Sequence, residues 1–451
     1  MLIVVLLIMA AACAISFHRW QWGILAAIAM GLIQDPLRKM VPGAPGYLAM
    51  MTLPIWMSAL LSASITGALR WKSFLDGFPR MGRWIYLFSL YLLIPAAISS
   101  TYGKNSWMIT LLGAVIYSAG FLTMAAGWGF ARRPRQINRL LSFYVIGASI
   151  MFIGGPIDYF GLAPGFKAVG TAALDAVWMT ARTGEIVYMY AGFFRSPDVM
   201  GWHAALVTMI AGLLAYRSKG WMRALWIALA VWALLNLWIC GRRKMISMLP
   251  VFWGGFLILH FKFKSVRLAV PVAGVILLMA GLGWFVITQT YHTTGLNTFY
   301  MTTFSQLDDS VAQHGFRSVV TTLEQAGFWG YGLGMGQQGI HHIPAETPRL
   351  WQESGPSKLA AELGAPGMFL LLCLFAVLLR TAWAVVSFCR NHSSFSTVAG
   401  LFSILIANMA SAVVSGQIFG DPFIILFLAF MVGLLWAHPA MIMQQEDSCA
   451  S

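Results

Sequence analysis

The feature that most constrains this chain is its repeated apolar runs. Stretches such as MFLLLCLFAVLLRTAWAVVSF at 368–388 recur from one end of the sequence to the other. Crossing roughly 30 Å of hydrocarbon takes about 20 helical residues. In lipid the backbone must satisfy its own polar groups, which leaves helices or closed barrels. Only 10% of the residues are charged, against about 25% in a soluble domain, and the alternation of a barrel strand is absent. The expectation is an all-α polytopic membrane protein.

Apolar spans fall near 2–17, 20–34, 47–69, 83–99, 105–128, 139–155, 199–216, 223–240, 245–260, 268–289, 364–388, 395–416 and 422–437, giving about 12–13 transmembrane helices. Residues 2–17 have neither a basic flank before them nor a small-residue cleavage site, and read as a retained first helix. The net charge of +14 fits basic loops anchoring helices on the cytoplasmic side better than nucleic-acid binding. The basic connections 70–83, 131–139, 217–223 and 262–267 alternate correctly along the spans, so one orientation places them all in the cytoplasm. Segments 156–198 and 290–363 then face the periplasm. Loops of that length are functional or disordered, and 290–363, rich in Gly, His and aromatic residues, reads as a folded, partly re-entrant element. The organisation is therefore N-terminal helices 1–155, periplasmic loop 156–198, central helices 199–289, large periplasmic loop 290–363, and C-terminal helices with a short cytoplasmic tail 364–451. Five scattered cysteines have no metal or redox spacing.

Two places break the charge rule. Arg38 and Lys39 lie where the span count is least secure, and Arg242, Arg243 and Lys244 sit between two apolar helices on the periplasmic side. Unless a span is miscounted, anion binding is the natural reason for the second group. Arg and Lys hold phosphate through charge-assisted hydrogen bonds. Arg317 is a further candidate, or a solvated charge on an amphipathic helix.

The stretch ESGPSKLAAELGAPG (353–367) reads as a helix with Pro356 in its first turn and a break at Gly364. Glu353, just ahead of that start, is favoured as an anion by the helix dipole. It can accept a proton from a hydroxyl, or simply cap the helix. Lys358 and Glu362 are four apart and read as a modest surface ion pair. GYGLGMG (330–336) lacks the context of a nucleotide motif and reads as a tight turn that lets backbone approach a ligand or a neighbouring helix. Adjacent His341 and His342 lack carboxylate partners for a metal and read as loop residues lining a sugar groove.

These segments together resemble the superfamily of bacterial O-antigen ligases and O-antigen-type polymerases. Glu353-Ser354, nine residues, then Gly364-Ala-Pro-Gly367 reproduces the family's His-[Asn/Ser/Gln]-x9-Gly-x-x-Gly spacing, with Glu353 where the ligases have histidine. GFWGYGLGMG (327–336), with Arg317 ahead of it, is similar to the family's Gly-x-Gly-Leu-Gly segment. CGRRKM (240–245) is similar to the Gly-Ser-Arg-Gly segment, with Arg243 on its arginine. RSPDVMGWHAAL (195–206) is similar to a stretch in which Asn opens a span, Asp198 replacing it.

The resemblance covers roughly 190–440. It implies a GT-C-like bundle in the bacterial inner membrane with its active site facing the periplasm. The implied reaction is transfer of a glycan from a polyprenyl diphosphate to an acceptor hydroxyl, with inversion and without metal or other cofactor. Glu353, Arg243 and Arg317 take the catalytic roles in that reading. Arg242, Lys244, Arg195, Lys358, His341 and His342 are expected at the diphosphate or glycan. Partners are the lipid-linked oligosaccharide donor and acceptor, the bilayer, and by implication a chain-length regulator and export proteins, with no nucleic acid. Glu for His favours a polymerase over a ligase acting on lipid A core or protein. A transporter or flippase is the third reading, lowered because the spans look nearly free of ionisable residues.

Overall fold

Apolar runs in this chain become helices wherever they are seen, because only a helix satisfies every backbone group within one segment. The structure, a computed structural model, describes residues 1–131, 134–180, 186–264, 274, 317–336, 343, 354–416 and 420–450. The first helices are α1 (Leu2–His18), α2 (Trp20–Met40), α3 (Thr52–Ile65), α4 (Trp71–Gly77), α5 (Pro79–Tyr91), α6 (Leu93–Ser99), α7 (Ser106–Phe130), α8 (Pro134–Met151) and α9 (Gly154–Tyr159). The central group is α10 (Pro197–Arg217), α11 (Gly220–Ile239), α12 (Arg243–Ile246) and α13 (Met248–Phe263). After these come α14 (Ser318–Ala326), α15 (Gly355–Phe388), α16 (Phe395–Val414), α17 (Pro422–Trp436) and α18 (His438–Ala450).

Among the described residues, ten helical segments are long and apolar enough to cross a membrane. The fold is thus a multi-pass helical membrane protein. The short α1 and the more polar α2 fall outside that set, and the expected span 268–289 lies outside the described residues. One small departure from an all-helical chain sits in the loop after α9, where β1 (Met179–Thr180) pairs antiparallel with β2 (Val187–Tyr188).

Helix α10 is the hub. Ser196 caps it, accepting from Val199 N at 3.3 Å, and Pro197 starts it. Every residue from Pro197 to Ala211 is buried. A helix apolar on all faces belongs inside a bundle, and α10 packs on α8, α11, α13 and α16.

The contacts distinguish two ends of the bundle. At one, Arg217 Nη1 closing α10 donates to Asn138 Oδ1 of α8 at 2.8 Å, and Phe74 of α4 stacks on Trp436 at the close of α17. Residues of the basic connections 70–83, 131–139 and 217–223 meet at this end. At the other end Arg195, two residues before α10, is gripped by Asp421 at the start of α17. Ser411 near the close of α16 donates to Met245 Sδ of α12 at 3.8 Å, so α12 is at this end too. Helix α15 runs back against α16 through the short link 389–394, so its start shares the same end.

Arg38 and Lys39 break the charge rule for a structural reason. Arg38 Nε donates to Ala44 O at 2.9 Å. Buried Lys39 Nζ donates to the carbonyls of Ala168, Gly192 and Phe194 at 3.4, 3.0 and 2.6 Å. Asp158 Oδ2 accepts from Ala191 N and Gly192 N at 3.0 and 2.9 Å. The loop between α9 and α10 is stapled to the bundle by these two charges.

Candidate functional site at the loop-bearing end

Arg242, Arg243 and Lys244 begin the short α12 directly after α11 ends. Arg242 Nη2 lies 2.9 Å from Asp198 Oδ2, and Lys244 Nζ lies 2.9 Å from Asp198 Oδ1. The Arg242 guanidinium also sits over the Trp178 ring at 4.9 Å, a geometry in which cation and ring attract. Arg243 is half-buried. One carboxylate from the first turn of α10 therefore pairs with two of the three consecutive cations, Arg242 and Lys244. Asp198, the departure from the Asn of the resemblance, is what draws Arg242 and Lys244 towards α10.

Arg195 stands apart. Its Nη1 is 3.3 Å from Asp35 Oδ1, its Nη2 is bonded to Asp421 Oδ2, and its backbone N donates to Asp35 Oδ2 at 2.9 Å. Burial alone would lower its pKa, but Asp421 and Asp35 overcome this and hold it above the ordinary arginine value. Its charge is compensated twice within the fold, and it ties α2 to α17.

Arg317 caps α14 and is exposed. Its neighbour Ser318 places its Oγ 3.0 Å from Ser354 Oγ. Ser354 is the N-cap of α15, accepting from Ser357 N at 3.2 Å. The starts of α14 and α15 are thus side by side, which puts Arg317 one residue from a contact to the residue after Glu353. Glu353, His341 and His342 themselves lie outside the described residues.

The first half of α15 differs most from expectation. Lys358 and Glu362 are 4% and 0% exposed, so both charges are buried rather than at the surface; the glycine segment and α7 lie against Glu362. The same burial corrects the expectation that the spans lack ionisable groups. Lys358 is electrostatically coupled to Glu362 and to Asp421.

The helix breaks at Gly364, whose φ of 63° and ψ of −172° are not helical, and Pro366 follows it. A broken helix in a membrane must find partners for the freed backbone groups, and this one does. Ala365 N donates to Phe328 O at 2.9 Å, Tyr331 N donates to Ala361 O at 2.7 Å, and Tyr91 Oη donates to Leu363 O. A Cβ on residue 364 would stand 2.3 Å from Phe328 O, so only glycine lets the two strands of backbone meet.

The glycine segment 330–336 is a close-approach turn, as its sequence suggests. Leu333 N donates to Pro95 O of α6 at 2.9 Å. Gly334 has φ 84°, and a Cβ there would come within 2.2 Å of Ile109 O on α7. What this phosphate-loop look-alike cradles is an internal carboxylate. Glu362 Oε1 accepts from Gly336 N at 2.9 Å, and Oε2 accepts from Gly334 N at 3.4 Å and from Tyr117 Oη at 2.9 Å. Reading the sequence missed this cluster. Tyr117 is 245 positions from its partner, and nothing around it in α7 signals a polar role.

Beneath the cluster lies an apolar cavity of about 340 Å³ among α5, α7, α15, α16 and α17, with Tyr117, Phe121, Pro356, Leu359, Met368 and Asn408 in its wall. The arrangement can therefore hold an anion among cations at one end of the bundle and an apolar chain between the helices below. The sequence matches no family model and no curated protein.

Proposed function

We propose that this chain is an inverting, metal-independent glycosyltransferase with a GT-C-like bundle. It joins polyprenyl-diphosphate-linked repeat units into a polysaccharide at the periplasmic face of the bacterial inner membrane. Glu353 takes the proton of the acceptor hydroxyl as its oxygen attacks the anomeric carbon. The bond from that carbon to the diphosphate breaks on the opposite face. The departing diphosphate is neutralised by Arg243 and Arg317, with Arg242 and Lys244 contributing. Unperturbed Glu is a weaker base than His, but a diphosphate leaves readily and demands less of the base.

The observation that carries the reading is the gathering of α12, with its three consecutive cations, and the start of α15 at one end of the bundle. The apolar cavity below suits the carrier's isoprenoid chain. The test is Glu353→Gln and Arg243→Ala in cells whose polymer depends on this chain, with protein levels matched. Loss of polymer is expected. Polymer of normal length in both variants refutes the assignment, and glycan appearing on a new carrier instead identifies a ligase.

A second reading has an observation of its own. Buried ionisable residues in a membrane protein often mark a transport path, and Asp35, Lys358, Glu362 and Asp421 are all buried. Movement of labelled lipid-linked glycan by the reconstituted chain, without change in glycan length, is the result that would favour a flippase.

A further inference from the structure

Glu362 has no part in the chemistry above, yet it is buried and fully engaged within the fold. Three donors from two other elements converge on it: Gly334 N and Gly336 N from the glycine segment, and Tyr117 Oη from α7. The glycine segment is the direct continuation of α14, only Gly327 to Trp329 intervening, and α14 begins just after its cap residue Arg317. A second contact, Ser318 Oγ to Ser354 Oγ at 3.0 Å, joins the starts of α14 and α15. Between them the main-chain exchange across Gly364 fixes the register.

We infer that Glu362 is a positioning residue, a clamp that sets where α14 lies on α15 and so where Arg317 stands relative to the start of α15. This rests on the catalytic role given to Arg317 above, but the clamp itself does not. Among the described residues, three features fit a clamp better than a ligand site. The carboxylate is fully buried, its bonds go to main chain and to a tyrosine, and Gly336 has no room for a side chain. A Cβ on residue 336 would fall 2.7 Å from Lys358 Cγ and 2.9 Å from Glu362 Oε1. Lys358 then serves as the buried counter-charge, its stem packed beneath Gly336, rather than as a hand extended to substrate. A charge was chosen over a neutral acceptor because hydrogen bonds to an ionised group are roughly twice as strong. That strength suits a loop segment that must hold one register against a membrane helix.

The test uses the full chain in nanodiscs with Ser318→Cys and Ser354→Cys, and follows the rate of disulfide formation between them. The paired change Lys358→Met with Glu362→Met removes both buried charges at similar volume, which a fold usually tolerates, but leaves the loop donors without an acceptor. Cross-linking is expected to slow by about tenfold, the equivalent of one charge-assisted hydrogen bond, while the chain stays monodisperse. Tyr117→Phe deletes one donor and leaves the charges in place. It should slow the reaction several-fold, and it supplies the reading if the paired variant does not fold. An unchanged rate in whichever variant folds overturns the inference. Polymer made by the same variants is scored separately: slowed cross-linking with undiminished polymer leaves the clamp standing and removes Arg317 from the mechanism.

Discussion

Replacing Arg195 by Ala tests the most consequential ion pairs in the fold. The guanidinium lies between Asp35 and Asp421, whose side chains are each 2% exposed. Removing one partner of a buried pair costs about 3–5 kcal/mol, because the other charge is left without compensation. Here two carboxylates are left, but neither loses everything. Asp35 keeps the bond from the backbone N of residue 195, and Asp421 keeps Phe423 N and Ile424 N at 2.8 and 3.3 Å. The expected loss is therefore at the lower end, about 3 kcal/mol. Unfolding of the purified chain in increasing denaturing detergent, followed by tryptophan fluorescence, reads it out. The triple change Asp35→Asn, Arg195→Met, Asp421→Asn removes all the charges together and should recover most of the loss. If Arg195→Ala is as stable as the unaltered chain, or the triple variant is no better than the single, the charges do not tie α2 to α17 as described.

Other expectations follow from the same geometry. Gly334→Ala forces a side chain into φ 84° and against Ile109 O; the strain alone is about 1–2 kcal/mol, and detergent denaturation should show at least that. Tyr117→Phe should cost about 1.5 kcal/mol, the value of a hydrogen bond to a charged group, in the same assay. Lys39→Met leaves the carbonyls of Ala168 and Phe194 without its ammonium, so limited proteolysis within 160–196 should quicken while the helices stay intact. Asp198→Asn lifts a negative charge from Arg242 and Lys244. Inorganic diphosphate should then inhibit polymer formation at several-fold lower concentration, and unchanged inhibition would argue against an anion site at α12.

Much of the site's raw material was readable in advance. The consecutive cations at 242–244 stood out because they violated an otherwise regular charge pattern. The break at Gly364 is visible as a glycine inside an apolar run, and the turn at 330–336 as four glycines in alternation. What each residue does with its charge was not readable. Arg195, in line for a diphosphate by resemblance, closes a buried pair of carboxylates, while Lys358, expected at the surface, lies under Gly336.

By itself the sequence determined that the chain is a helical bundle in a membrane, about where most helices run, and which basic stretches share an end. Those follow from local hydropathy and from charge placement, both of which act on segments independently of their neighbours. Only the tertiary structure decided that Glu362 meets Tyr117 and the glycine turn, that Asp421 meets Arg195, and that Lys39 staples a loop far along the chain. A buried charge is tolerated only where partners converge on it from several elements, and such convergence leaves no periodic trace in any one of them.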